Sequence, residues 1–156
     1  VNTDVVNILT MAKVIQTAVA PVFLITGIAA TLGVLSSRLA RITDRARTLE
    51  RKLKISSDED FNHSLTTELR ALLKRARYIH FAFSLSVLSA TLVSFVVMLL
   101  FMANIQSVNL GTAIALCFMI AMVLLILAFI SLLAEVYLAF RSMRRGMIFA
   151  DIDLGE

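Results

Sequence analysis

Glu135 is the sole charged residue in the stretch Thr112–Phe140. A carboxylate in so apolar a setting is costly to keep, and residues of this kind mark ion paths, proton relays or ion pairs that fasten helices together. It lies on a stripe formed by Cys117, Ala121, Ala128, Ser131, Glu135 and Ser142. Small side chains at helical spacing let a neighbouring helix approach closely, so this face should point inward. Arg38 and His80, each near the end of another apolar run, are the expected counter-charges. Thr112–Ala134 already has the length needed to cross a bilayer, which puts Glu135 at the edge of the hydrocarbon and makes a structural salt bridge the stronger reading.

A second pattern that could do chemistry is His80, Ser84, Thr91 and Ser94, a heptad-spaced polar stripe. In a ring of subunits such a stripe would line a weakly polar pore. The rival role is ordinary packing, with each hydroxyl bonded to the carbonyl one turn earlier. His80 has no thiolate or histidine neighbour at ligand spacing, so no metal site is expected, and no cofactor. The chain carries no phosphate-binding glycine loop, GxSxG, HExxH, CxxC or dinucleotide fingerprint, and an enzymatic role is not expected.

These residues need elements to hold them. With 59% hydrophobic residues in 156 and a mean hydropathy of +0.88, the chain is expected to be all-α and membrane-embedded. The uncharged run Val14–Ser36 gives roughly 34 Å of helix, enough for a hydrocarbon core of about 30 Å. Ile79–Ala103 and Thr112–Phe140 supply a second and a third span. Pro21 removes a backbone donor, so either one helix kinks there or a separate span begins there. Ala29 and Gly33, with Gly27, Ala30 and Ser37, form a small-residue patch suited to helix contact. NIQSVNLG between the last two spans reads as a short external turn, and Gly146 as a stop before the tail 146–156. The opening VNTDVVNIL has no basic segment or cleavage site, so the first span is expected to be retained. The single cysteine, Cys117, leaves no intramolecular disulfide.

Between the first two spans lies a strongly basic insertion, about residues 37–78. Leu35, Leu39, Ile42, Ala46, Leu49 and Leu53 recur at spacings of four and three, as do Leu65, Leu69, Leu72, Ala76, Ile79 and Phe83. The two arms can therefore pair as an antiparallel, coiled-coil-like hairpin, with Leu39 opposite Ile79, Ala46 opposite Leu72, Leu49 opposite Leu69 and Leu53 opposite Leu65. Asp44 and Lys74 share a layer in that register. Ser56 and Glu59 have the spacing of a capping box, so the return helix should begin before Leu65.

Eleven of the fifteen Lys and Arg residues fall between Arg38 and Arg77; Arg141, Arg144 and Arg145 follow the third span, and Lys13 stands alone on the other side. The positive-inside rule then places the hairpin and the carboxyl terminus in the cytoplasm, with the amino terminus outside. Arg38, Arg41, Arg45, Arg75, Arg77, Arg141, Arg144 and Arg145 are the candidates to meet anionic lipid headgroups or an acidic partner. Because the positive charge lies beside apolar spans and not among aromatic residues on a soluble face, nucleic acid is not the expected partner.

The segments APVFLITGIAATLGVL (residues 20–35), RLARITDRAR (38–47), LLKRARYIHFAFSLSVLSA (72–90) and EVYLAFRSMRR (135–145) resemble a bacterial family catalogued as domain of unknown function 2721. The resemblance implies a small bacterial inner-membrane protein and no particular activity. The residues themselves lead to two expectations: a homo-oligomeric assembly acting as pore or scaffold, or an accessory subunit of a larger membrane complex docked through the basic hairpin.

Overall fold

A computed structural model describes residues 2–55, 59–106 and 110–153; for residues 2–7, 9, 10, 59, 60, 105, 106 and 141–153 it describes the backbone alone. Among the described residues there are three helices and no strand: α1 (Asn2–Ile55), α2 (Glu59–Gln106) and α3 (Gly111–Asp153). Each contains a stretch long and apolar enough to cross a membrane. Lipid offers the backbone no hydrogen bonds, so a helix that satisfies its own peptide groups is the natural state of these runs. At 54 residues, α1 is roughly 80 Å long, well over twice the hydrocarbon thickness of about 30 Å.

Pro21 lies inside α1 and is buried, so a single helix runs through it and no separate span begins there. The Thr17 carbonyl loses its usual partner as a result. Gly146 does not end α3, which continues to Asp153. An interior glycine costs a helix about 1 kcal/mol relative to alanine, too little to stop one by itself. The return helix begins at Glu59, ahead of Leu65 as the capping pattern suggests, while Ser56 lies outside the described residues.

The chain divides into two compact units, Val1–Gly33 with Ser84–Leu127, and Val34–Phe83 with Ala128–Glu156. In the first unit Ala18 and Ile28 of α1, Ser86, Ser89, Val93 and Val96 of α2, and Ala121 and Leu125 of α3 are buried. Ser89 Oγ donates to the Ala121 carbonyl at 2.8 Å, tying α2 to α3. The outward surface is apolar, with Phe23, Ile120 and Val123 exposed, which is the expected state for a face that meets lipid.

In the second unit Leu35, Ile42, Leu49, Leu65, Leu72, Ile79 and Ala82 form one buried cluster, flanked by Leu39, Leu53, Ala76, Phe83 and Leu132. Both arms of the basic insertion thus contribute their apolar stripes to a common core. Ala46 is also buried and Leu69 half-buried. Leu132 shows that α3 joins this core as well. Ser131 Oγ of α3 donates to the Tyr78 carbonyl of α2 at 2.9 Å.

Candidate functional site

The heptad spacing of α1 carries Leu35, Ile42 and Leu49 into the core of the second unit and sets Arg38 and Arg45 at the margin of that stripe. On α2, Leu65, Leu72 and Ile79 play the same part, with Glu68 and Arg75 at the margin. The third side of the unit is α3, whose small residues Ala128 and Ser131 are buried and let it approach. One helical turn beyond Ser131 stands Glu135, and its side chain is only 1% exposed.

The two carboxylate oxygens of Glu135 are held by different arginines. Arg38 donates from Nη1 to Oε2 at 2.9 Å. Arg75 donates from Nη2 to Oε1 at 2.9 Å and from Nε to the same oxygen at 3.2 Å. A buried charge is tolerated when it is paired and hydrogen-bonded, and three charge-assisted bonds meet that condition here. Arg38 and Arg75 are less completely enclosed, with side chains 35% and 23% exposed. The negative partner is therefore the sequestered one.

Farther along the arms, Arg45 donates from Nη2 and Nε to Glu68 Oε1 at 2.6 and 2.9 Å. This pair, and not Asp44 with Lys74, links the two arms electrostatically; Asp44 and Lys74 are exposed and form no ion pair among the described residues. Arg45 of α1 thus meets Glu68 of α2, while Arg38 of α1 and Arg75 of α2 meet at Glu135 of α3. A cleft of about 260 Å³ opens between Arg38, Arg41, Arg45 and Arg75, with Ile42, Leu72 and Glu135 in its wall. Arg41 is exposed and has no ion-pair partner among the described residues.

None of the remaining candidates with a described side chain bonds Glu135. His80 is exposed, and the second cation on Glu135 is Arg75 in its place. Ser84, Thr91 and Ser94 are exposed too. Thr91 and Ser94 donate to the Val87 and Ala90 carbonyls at 3.0 Å, so those hydroxyls serve their own helix. Arg77 is exposed, and the side chains of Arg141, Arg144 and Arg145 lie outside the described residues. Among the described residues no three His, Cys, Asp or Glu side chains gather as metal ligands would.

Two features escape a reading of α1 and α2 as a simple pair. Arg75, a candidate for lipid headgroups or an acidic partner, bonds Glu135 of its own chain. The signal was present in its spacing: Arg75, Ala82, Ser89 and Val96 are seven residues apart. Arg75 bonds Glu135 of α3, Ser89 bonds Ala121 of α3, and Ala82 and Val96 are buried. Ser86 is the second feature, fully buried with no hydrogen-bond partner for its hydroxyl.

No curated protein and no solved structure matches the chain. The model of one family, described as protein of unknown function (DUF2721), matches residues 18–145, most of the chain and the whole of the Glu135 cluster. The chain therefore belongs to the DUF2721 family, with three helices fit to cross a membrane and a buried acid fastened by two arginines.

Proposed function

We propose that this protein is a homo-oligomeric scaffold of the bacterial inner membrane, with its amino terminus outside and its basic helical hairpin and carboxyl terminus in the cytoplasm. The observation that carries the scaffold reading is Glu135, whose two oxygens are taken up by Arg38 and Arg75. An acid so engaged acts as a tie between helices; a residue that passes ions or protons needs a free oxygen in an aqueous path. The exposed hydroxyls of Thr91 and Ser94 bond carbonyls of their own helix, which favours scaffold over pore within the oligomer. The distribution of Lys and Arg supports the orientation. Self-association is supported by the patch Gly27, Ala29, Ala30 and Gly33, exposed on α1, where a Cβ built on either glycine meets nothing within 4 Å. Without catalytic motifs in the sequence, the role is structural and not enzymatic.

An accessory-subunit reading draws on Arg51, Lys52 and Lys54, which are exposed at the end of α1, roughly 20 Å of helix beyond the uncharged run that ends at Ser37, where screening over a Debye length of about 10 Å weakens attraction to lipid headgroups. They would meet an acidic partner. Native mass spectrometry of the solubilised protein separates the readings. A homo-oligomer is expected; a monomer, or a mixed complex recovered from cells, overturns it. Planar-bilayer recordings then test scaffold against pore, with no single-channel current expected at any voltage.

A further inference from the structure

The four-arginine cleft of the second unit has an unfinished charge balance. Arg38, Arg41, Arg45 and Arg75 border it, and the acids that bond them are Glu135 and Glu68. Glu135 brings the Arg38 and Arg75 guanidiniums to one carboxylate, so two positive groups are held close with a single negative charge between them. Neither group exhausts its donors there. A guanidinium has five N–H bonds to give; Arg38 gives one to Glu135 and Arg75 gives two. Arg41 has no ion-pair partner among the described residues, and its side chain borders the same space.

We propose that this cleft binds a phosphate group, as a free phosphate ester or as the headgroup of an anionic phospholipid. The planar donor fork of arginine matches phosphate oxygens in pairs. Glu135 fixes two of those forks in advance, which removes much of the ordering cost that a flexible basic patch would pay on binding. A volume of about 260 Å³ falls just below the roughly 300–1,000 Å³ typical of sites for drug-sized molecules, so a headgroup or small phosphate fits better than a large ligand. Ile42 and Leu72 form a dry wall, which strengthens the electrostatic attraction relative to an open surface. In sequence, Arg38 follows directly on the uncharged run Val14–Ser37, which sets the cleft beside a segment fit for lipid. The proposal requires neither self-association nor a scaffold role.

The test is the melting temperature of the full chain in neutral detergent, followed by far-ultraviolet circular dichroism. One arm adds inorganic phosphate or glycerol 3-phosphate against chloride at matched ionic strength. The other adds phosphatidylglycerol against phosphatidylcholine in mixed micelles. A saturable rise with the soluble phosphates assigns a free ligand, and a rise with phosphatidylglycerol alone assigns a lipid headgroup. Arg41→Gln should weaken the apparent affinity by about tenfold or more, as loss of a charge-assisted hydrogen bond does. Arg51→Gln, a charge of the same sign outside the cleft, should leave the affinity unchanged. The proposal is overturned by melting that neither phosphate source shifts, by unaltered binding in Arg41→Gln, or by equal weakening in Arg51→Gln, which would indicate unspecific charge attraction. Oligomeric state is not read in this experiment, so its outcome stands apart from that of the scaffold reading.

Discussion

Glu135 illustrates how a buried ion pair can hold a structure while contributing little net stability. Taking a carboxylate out of water costs several kcal/mol, and its two arginines mainly offset that cost. Losing the acid is a different matter, since two half-buried guanidiniums are then left close together without a counter-charge. Glu135→Gln keeps the shape of the side chain and should lower stability by about 1–3 kcal/mol in equilibrium unfolding from mixed micelles, because the arginines left behind are part-solvated. Replacing all three members together, Glu135→Met with Arg38→Met and Arg75→Met, should recover most of the loss. A triple variant as unstable as Glu135→Gln would show that the ion cluster supplies net stability after all. The buried serines give a second contrast. Ser89→Ala deletes the bond to the Ala121 carbonyl and should cost about 0.5–1.5 kcal/mol, whereas Ser86→Ala removes a hydroxyl with no partner and should be neutral or stabilising. Equal losses from both would mean that Ser86 finds a bond in the membrane. The burial of Glu135 could be read from the small residues on its stripe, Ala121, Ala128 and Ser131. Its second partner was legible only through a longer repeat: among Lys74, Arg75 and Arg77, Arg75 alone continues the seven-residue row of Ala82, Ser89 and Val96.

At the scale of the helices, one period organises most of what is buried. On α1, Pro21, Ile28, Leu35, Ile42 and Leu49 are buried and stand seven residues apart. On α2 the row is Leu65, Leu72, Ile79, Ser86 and Val93, again seven apart and buried. A hydrophobic repeat of seven, sustained over this length, is what knobs-into-holes packing requires. That repeat made the membership of the core legible in the sequence, since the leucines and isoleucines of both arms announce it. The ends of the helices were less legible. Gly146 resembles a stop, yet neither a glycine nor a change to polar composition ends a helix whose following residues, Met147, Ile148, Phe149 and Ala150, remain compatible with one. The register of the arms is a proposal that rests on apolar matching, with Leu49 opposite Leu69. In a membrane preparation of the double variant Leu49→Cys, Leu69→Cys, with Cys117→Ser to remove the native thiol, mild oxidation should form the disulfide within one chain. Leu49→Cys with Asn62→Cys, the pair brought together by a slip of one heptad, should remain reduced. The reverse outcome would replace the proposed register by the slipped one.

For the whole molecule, the open question is what covers the surface that its own helices leave bare. Phe23, Leu133, Tyr137 and Phe140 are all more than 65% exposed, and lipid tails satisfy such residues as readily as protein does. Large apolar side chains on a membrane helix therefore say little about oligomerisation. Small ones say more, because a glycine facing lipid sacrifices side-chain contact, and only a closely approaching helix restores it. Gly27 and Gly33 are in that position on α1, exposed and with nothing within 4 Å of where a Cβ would stand. The two environments make opposite demands. If lipid covers this face, Gly27→Leu and Gly33→Leu should raise helix stability by roughly 1 kcal/mol each through propensity alone and leave the mass of the assembly unchanged. If copies of the chain meet there, the same leucines should hold the backbones apart and shift native mass spectra toward smaller species. Self-association through this face requires the second result. A variant that melts higher and keeps its oligomer would move the contact elsewhere on the chain, and one that melts higher as the monomer it already was would remove self-association from the account of this protein.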